Sequence, residues 1–452
     1  MLTDADLTQL QHHGISPDEA AEQLRLLRQP SRYLVLDRPC TVGDGIVRLD
    51  QSEQQRLLSA GRDAAAHGRV QKFVPASGAA TRMFKDLISA LASPERPSAN
   101  PPAQQFFDRL DDFPFAHDLR ERSGVRGQPS SEADERAVLQ TLLSDMRYAE
   151  LPKALIPFHR TPVIRTPFEE HLLEGLHYTL AADGVSRTHF TAAPEFRAEF
   201  ESLLADVSPR ITSAAPGHAQ LGVTFSEQHP ATDTLAVTPE GEPFRIADGS
   251  LLLRPSGHGA LLRNLQALDG DIIVIKNIDN VVPFERCAEV VRWKLLLIGY
   301  LATQQARVDN DRPFRVCGVV GNEGEPGGAP FWVIDEQGGR SLQIVEASSV
   351  NLDDPAQRRI FESSTHFNPV DIVCAVKTRH GRPFDLHEFV DQSAVFLSRK
   401  SHEGRELIAI ERPGLWNGGM AHWTTIFVEV PASTFAPVKT VFDLLRPEHQ
   451  SL

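Results

Sequence analysis

From residue 72 onward, short apolar runs alternate with stretches of helical spacing, the pattern of an α/β sheet protein. The runs at 72–76, 222–226, 250–254, 271–275, 316–320, 342–345 and 425–430 are predicted strands. Ahead of them the spacing is helical. Ser16-Pro17-Asp18-Glu19 places a capping hydroxyl before a proline at the first helical position and an acid at the third. Ala20, Leu24 and Leu27 then recur on one face, and Pro30 closes the segment. A second helix over about 51–67 is stopped by Gly68. Pro94, Pro97, Pro101 and Pro102 interrupt the alternation, and two helical patches follow before Leu151, the second opened by the capping pair Ser131 and Asp134. Residues 88–150 therefore read as a helical insertion, with a passive surface excursion preferred to a lid or an oligomer contact.

Composition narrows the partners. The chain has 452 residues, with 46 Lys and Arg against 60 Asp and Glu, a net charge of −14. That balance argues against a nucleic-acid or anionic-membrane partner, which needs a basic surface. A small anion can still be held where a few basic residues converge. The opening MLTDADLTQL has neither the basic nor the apolar region of a signal peptide. The most apolar stretch, 293–302, contains Lys294 and is far short of the roughly 20 residues that span a bilayer. Cys40, Cys287, Cys317 and Cys374 lie far apart and read as reduced thiols, so the cytoplasm is the expected compartment. The oligomeric state is left open.

Candidate chemistry begins at Phe73-Val74-Pro75-Ala76-Ser77-Gly78-Ala79-Ala80-Thr81-Arg82, where an apolar strand runs through small residues into a helical pattern. Small residues between strand and helix let backbone N–H groups approach a phosphate, and Arg82 adds a planar fork of donors. An ordinary tight turn with a solvated arginine has the same composition. Further on, Leu151-Pro152-Lys153 sets a single lysine at the head of an apolar run, and Arg165-Thr166-Pro167 opens a helix.

Together these segments resemble the opening of the sugar-nucleotide pyrophosphorylases, where a G-x-G-T-R loop and a downstream P-K cradle phosphates. Ser77 and Ala80 stand where that family has glycine. The resemblance continues in order. Ser226-Glu227-Gln228 is similar to the strand-end F-x-Q of the UDP-N-acetylglucosamine pyrophosphorylase branch, whose amide reads uracil with one donor and one acceptor. Pro255-Ser256-Gly257-His258-Gly259 resembles its P-x-G-N-G-G loop, with His258 for Asn and Ala260 for Gly; the missing third glycine counts against a dinucleotide fingerprint. The run 271–275 leads to Ile278-Asp279-Asn280, similar to V-D-N-V, whose Asp binds magnesium; standing alone, Asp-Asn after a strand is simply a good turn. Val345-Glu346-Ala347-Ser348, His366-Phe367-Asn368-Pro369, Phe435-Ala436-Pro437-Val438-Lys439 and Asn417-Gly418 are weaker echoes. The strings SGAATRM, RPSGHGALLRNL and PGLWNG resemble, more closely, a bacterial domain-of-unknown-function family.

The resemblance implies a nucleotide-diphospho-sugar transferase fold (GT-A, Rossmann-like), a mixed central sheet flanked by helices. It implies a helical segment at 1–68, a nucleotidyltransferase-like domain at 69–400 carrying the 88–150 insertion, and a strand and helix at 401–452 completing the substrate side. The implied reaction joins a nucleoside triphosphate, UTP by preference, to a sugar 1-phosphate, releasing pyrophosphate. Arg82 and Lys153 would hold the triphosphate, with Ser77, Gly78, Ala79 and Thr81 lining the loop. Gln228, Gly257, His258 and Gly259 would face the base and sugar, Lys439 the sugar's phosphate, and Asp279 with Asn368 would hold Mg²⁺. A non-catalytic nucleotide-sugar module is the rival reading, resting on Ser77, Ala80 and His258. A glycosyltransferase is disfavoured because Asp269-Gly270-Asp271 precedes its strand rather than following it. The remaining polar residues read as ordinary: Glu170, His171 and His177 as the polar side of an ordinary helix, and 324–328 as a turn or flap without an assigned role.

Overall fold

A computed structural model describes residues 2–29, 32–160, 162–214, 219–307, 311–324 and 327–450, the side chains of 214 and 368–370 excepted. Pro30 and part of the 324–328 turn lie outside the described residues. All seven predicted strands are present within a few residues of their expected bounds, among them Val70–Pro75, Gln220–Ser226, Ile272–Ile275 and Phe314–Gly321. The architecture is mixed α/β, as the sequence implies.

The chain forms two compact units. One comprises Met1–Gly61, Glu227–Val274 and Leu296–Ala432; the other comprises Arg62–Ser226, Ile275–Leu295 and Ser433–Leu452. In the first unit, Phe314–Gly321 pairs in parallel with Thr424–Glu429 and antiparallel with His366–Ala375, so the sheet is mixed. Helices Asp4–His13 and Pro17–Leu27 bury Leu10, Leu24 and Leu27 against Leu235, Val237 and Ile410. The first 68 residues are not helical throughout. Val35–Pro39, Thr41–Val42 and Gly45–Val47 are strands, the last two too short to show an alternation in the sequence.

A packing demand in this unit escapes sequence reading. Gly299 sits inside the Ala288–Arg307 helix, and a Cβ there would fall 1.9 Å from the Leu57 carbonyl oxygen and 2.9 Å from the Gly61 nitrogen. Both contacts are backbone and cannot swing aside. Gly299→Ala should therefore destabilise the fold by about 3 kcal/mol despite alanine's better helix propensity. Urea melts check this, and unchanged or raised stability would contradict it.

The second unit holds three parallel strands, Val70–Pro75, Val185–Thr191 and Gln220–Ser226, paired in that order. The connections between them are helical: Pro167–Thr179 precedes the second strand and Arg197–Ala214 the third. Pro167–Thr179 starts on a capping box of Thr166 and Glu169, and every residue in it except His177 is buried. Of its expected polar side, Glu170 and His171 lie inside and His177 is exposed. The insertion is helical, yet it is no passive excursion. Phe106, Phe107, Phe113, Phe115, Leu139 and Leu142 form one core with Val281, Val438 and Leu444, which flank candidate site residues. The prolines punctuate short helices whose apolar faces all turn inward. Among the described residues no helix is long and apolar enough to cross a membrane. The four cysteines are unpaired and buried.

Candidate anion-binding site

The loop after Val70–Pro75 lies at the C-terminal end of a parallel strand, where open α/β sheets bind ligands. The Ala76 N–H donates to Thr191 Oγ1 at 3.1 Å, fixing the start of the loop. Its far side is stitched to 149–153: Ala80 N–H donates to the Leu151 carbonyl at 2.9 Å, Lys153 N–H to the Gly78 carbonyl at 3.4 Å, and the Thr81 hydroxyl to the Ala149 carbonyl at 2.9 Å. Between these anchors, the N–H groups of Ser77, Gly78 and Ala79 have no partner among the described residues. Gly78 and Ala79 are exposed, and the absent Cβ of Gly78 faces open space. Successive free N–H groups form an anion-binding concavity. Arg82, exposed just beyond, makes no ion pair among the described residues.

The Cβ at Ala80 costs this loop nothing. Ala80 is fully buried, opens the Ala80–Arg82 turn, and does not have a positive φ. Its N–H is bonded within the chain, so its Cβ fills core and does not obstruct a ligand. Ala80→Gly should lose about 1 kcal/mol of stability without improving ligand binding, as thermal melts and titrations would show. A gain in affinity would mean that the Cβ does stand in the ligand's way.

Lys153, Asp279 and Lys439 meet beside this loop. Pro152 leads into the Lys153–Leu155 turn, and Lys153 Nζ donates to Asp279 Oδ2 at 2.9 Å and to the Val438 carbonyl at 2.7 Å. Lys439 Nζ reaches Oδ1 and Oδ2 of Asp279 at 3.3 and 3.0 Å. Backbone pairing brings this about: Val438 N–H donates to the Asp279 carbonyl at 2.9 Å, and Ala436 N–H to Asn280 Oδ1 at 2.9 Å. Asp279 and Lys153 are mostly buried, whereas the Lys439 side chain is 61% exposed. Burial disfavours the Asp279 charge, but Lys439 and Lys153 outweigh it and hold the carboxyl below its usual range. Burial pulls the Lys153 ammonium down, with Asp279 opposing.

A further layer was not legible. On the buried Pro167–Thr179 helix, His171 Nε2–H donates to the Ile278 carbonyl at 3.2 Å. Glu174 accepts from Lys72 Nζ at 3.1 Å, Lys276 Nζ at 2.5 Å and Tyr178 Oη at 2.7 Å. The available signal was a lone lysine in or directly after an apolar strand run: Lys72 in one, Lys276 at the end of the other.

The other predicted residues belong to the first unit. Gln228 donates its amide to Asp233 Oδ1 at 3.2 Å, and His13 meets the other Asp233 oxygen at 3.0 Å. Gly257 takes φ +75°, and a Cβ on Gly259 would lie 2.3 Å from the Pro413 carbonyl oxygen. Gly257 therefore serves a left-handed backbone turn and Gly259 close backbone packing. His258 stacks on Trp416, with ring centroids 4.3 Å apart, and its Nδ1 accepts from Leu415 N–H at 3.0 Å, leaving Nε2 to carry the proton of the neutral ring. Asn417 donates to Glu346 at 2.9 Å, joining two of the weaker echoes. Asn368 lies on the His366–Ala375 strand, but its side chain is outside the described residues. Among the described residues no group of three His, Cys, Asp or Glu side chains is arranged to hold a metal.

Parallel strands ending in a small-residue loop, with a lysine and an acid delivered to it, define a class: the fold is that of the nucleotidyltransferase-type pyrophosphorylases. The uridine diphosphate N-acetylglucosamine pyrophosphorylase of Trypanosoma brucei, solved with an inhibitor, is similar at a TM-score of 0.55 and 13% identity, over 98% of this chain and 79% of that one. The UDP-glucose pyrophosphorylase of Leishmania major, solved in open and closed forms, matches at 0.52 and 13%, over 98% and 79%. The Trypanosoma brucei UDP-glucose phosphorylase matches at 0.52 and 13%, over 98% and 77%. At such identities the likeness is one of fold. No curated protein matches the sequence. The chain belongs to the family described as domain of unknown function DUF4301, matched over residues 3–310 and 308–450.

Proposed function

We propose that this protein is a cytoplasmic, Mg²⁺-dependent nucleotidyltransferase that joins a nucleoside triphosphate, UTP by preference, to a sugar 1-phosphate and releases pyrophosphate. The observation that carries the reading is local charge. In a chain of net charge −14, Lys153 and Lys439 converge on one carboxylate beside three free N–H groups and Arg82. Such a surplus suits a ligand with several negative charges.

The chemistry asks little of the protein beyond placement. A sugar phosphate is already an oxyanion at neutral pH, its second pKa being about 6. Catalysis then consists of aligning nucleophile and leaving group while neutralising charge. The 77–79 N–H groups, Arg82 and Lys153 would bind the triphosphate and the departing pyrophosphate. Lys439, its side chain 61% exposed, is the ammonium that would leave Asp279 for the sugar's phosphate. Gln228 and the 257–259 loop would serve the base; Gln228 would exchange its bond to Asp233 for one to uracil. The Asp279 carboxylate, kept ionised, fits a hard cation shared with substrate phosphates, since Mg²⁺ commonly takes only one or two protein carboxylates. Asn368 is its proposed second ligand. When bound, the cation would neutralise phosphate charge and orient the phosphates.

The test is pyrophosphate release from UTP and Mg²⁺ across a panel of sugar 1-phosphates, beside thermal shifts with the common nucleoside triphosphates. Turnover with at least one sugar is expected. Stabilisation by nucleotide sugars without turnover on any acceptor would replace the enzyme by a binding module, and stabilisation by ATP alone would remove uridine.

A further inference from the structure

Beneath the Asp279 turn lies a buried polar cluster to which the proposed reaction assigns no role. Lys72 belongs to Val70–Pro75, the strand that feeds the 77–79 loop, and Lys276 directly follows Ile272–Ile275 and comes three residues before Asp279. Both are fully buried, and they share the single carboxylate of Glu174. Lys72 also donates to the His171 carbonyl at 2.8 Å, and Lys276 N–H donates to the Phe73 carbonyl at 3.1 Å. Two ammoniums against one carboxylate leave an excess positive charge in the interior. Burial and Lys276 push neighbouring Lys294 well down toward its neutral form, while the lysines hold Glu174 ionised against burial.

Stability does not explain this arrangement. A buried ion pair is commonly matched or bettered by apolar side chains of the same volume, and a surplus buried cation only adds desolvation cost. The cost makes sense if a negative ligand compensates it.

We propose that Lys72 and Lys276, with Glu174 as their clamp, are positioning residues whose surplus charge strengthens binding of polyphosphate anions at the loop and lysines above. The proposal rests on the anion-site reading but not on turnover. Glu174 ties the Val70–Pro75 strand to the end of Ile272–Ile275 through the two lysines, so their geometry and their field act together. At a few residues' distance through protein, one unit charge changes the binding of an anion about tenfold.

Inorganic pyrophosphate binding, measured by calorimetry on the full chain, tests this. Lys276→Met and Lys72→Met should each weaken binding about tenfold, since each leaves a neutral Lys–Glu pair that stays bonded. Glu174→Gln removes the carboxylate that opposes burial at Lys72, whose pKa burial already pulls down to about 8, so the lysines shed protons and binding should weaken most toward alkaline pH, with a lower melting temperature. A merely structural clamp would make all three variants weaken binding alike and equally at every pH. If Glu174→Gln does not fold, the two lysine variants decide alone. The proposal is overturned if either lysine variant binds pyrophosphate as tightly as the parent, or if the parent does not bind it. A parent that binds pyrophosphate without releasing it from UTP leaves this inference standing and removes the nucleotidyl-transfer reading.

Discussion

Asp279→Asn should cut pyrophosphate release by on the order of 10²- to 10³-fold, the scale of losing a principal electrostatic contact in the transition state. The amide keeps an oxygen for coordination and suits a turn after a strand, so the backbone can survive. What disappears is the negative charge on which Lys153 and Lys439 converge. Lys153 is mostly buried, and without its counter-charge it retains only neutral acceptors, the Val438 carbonyl and the amide oxygen. Removing one partner of a buried pair should cost about 3 kcal/mol at neutral pH. The pH dependence has a definite sign. The folded carboxyl titrates below its usual value, so its stabilisation is complete above the unfolded pKa of about 3.9 and fades as pH falls through the lower folded value. The stability gap between parent and variant should therefore be widest near neutrality and close in acid. Urea melts from pH 7 downward, with pyrophosphate release measured across a Mg²⁺ titration, test both halves. A variant with parental activity and parental Mg²⁺ dependence would reduce Asp279 to a turn residue.

Legibility followed length and locality. The run ending at Asp279 could be read because four consecutive β-branched residues leave little alternative to a buried strand. The loop at 77–82 was visible through its small residues, but its free N–H groups depend on hydrogen bonds to 149–153, which no local pattern announces. The ion pair of Lys439 with Asp279, 160 residues apart, was not expected; the family motifs gave the two residues separate roles. The Pro167–Thr179 helix shows that a polar side need not be a wet one. Glu170 and His171 read as the polar side of an ordinary helix, yet both are buried, and with Glu169 and Glu174 each polar group has a partner: Arg210 for Glu169, the Phe284 N–H for Glu170, the Ile278 carbonyl for His171 and the two lysines for Glu174. Burial of polar groups is legible only when the partners are known. The 257–259 loop is the converse case. Its glycines suggested ligand approach, whereas Gly259 answers to the Pro413 backbone.

Lys153→Met should separate function from stability. The substitution keeps an unbranched stem of similar length and removes the ammonium, so triphosphate binding and turnover should fall by on the order of 10²-fold. Folding responds differently than in Asp279→Asn. Asp279 retains Lys439, its exposed partner, and no buried cation is stranded. Replacing one member of such a pair by an apolar side chain of matching shape should change stability by only about 1 kcal/mol in either direction. The pH profile supplies a second signature. Burial lowers the Lys153 pKa in the folded chain despite Asp279, so the unfolded chain binds more protons there, and this group's contribution rises with pH toward the ordinary lysine value. Lys153→Met removes that contribution, so its melts should lack the parental rise on the alkaline side. Steady-state pyrophosphate release at saturating Mg²⁺ and urea melts between neutral and alkaline pH make the comparison. If Lys153→Met destabilises the fold as much as Asp279→Asn, or keeps full turnover, then Lys153 is a structural strut and the triphosphate is held by other groups.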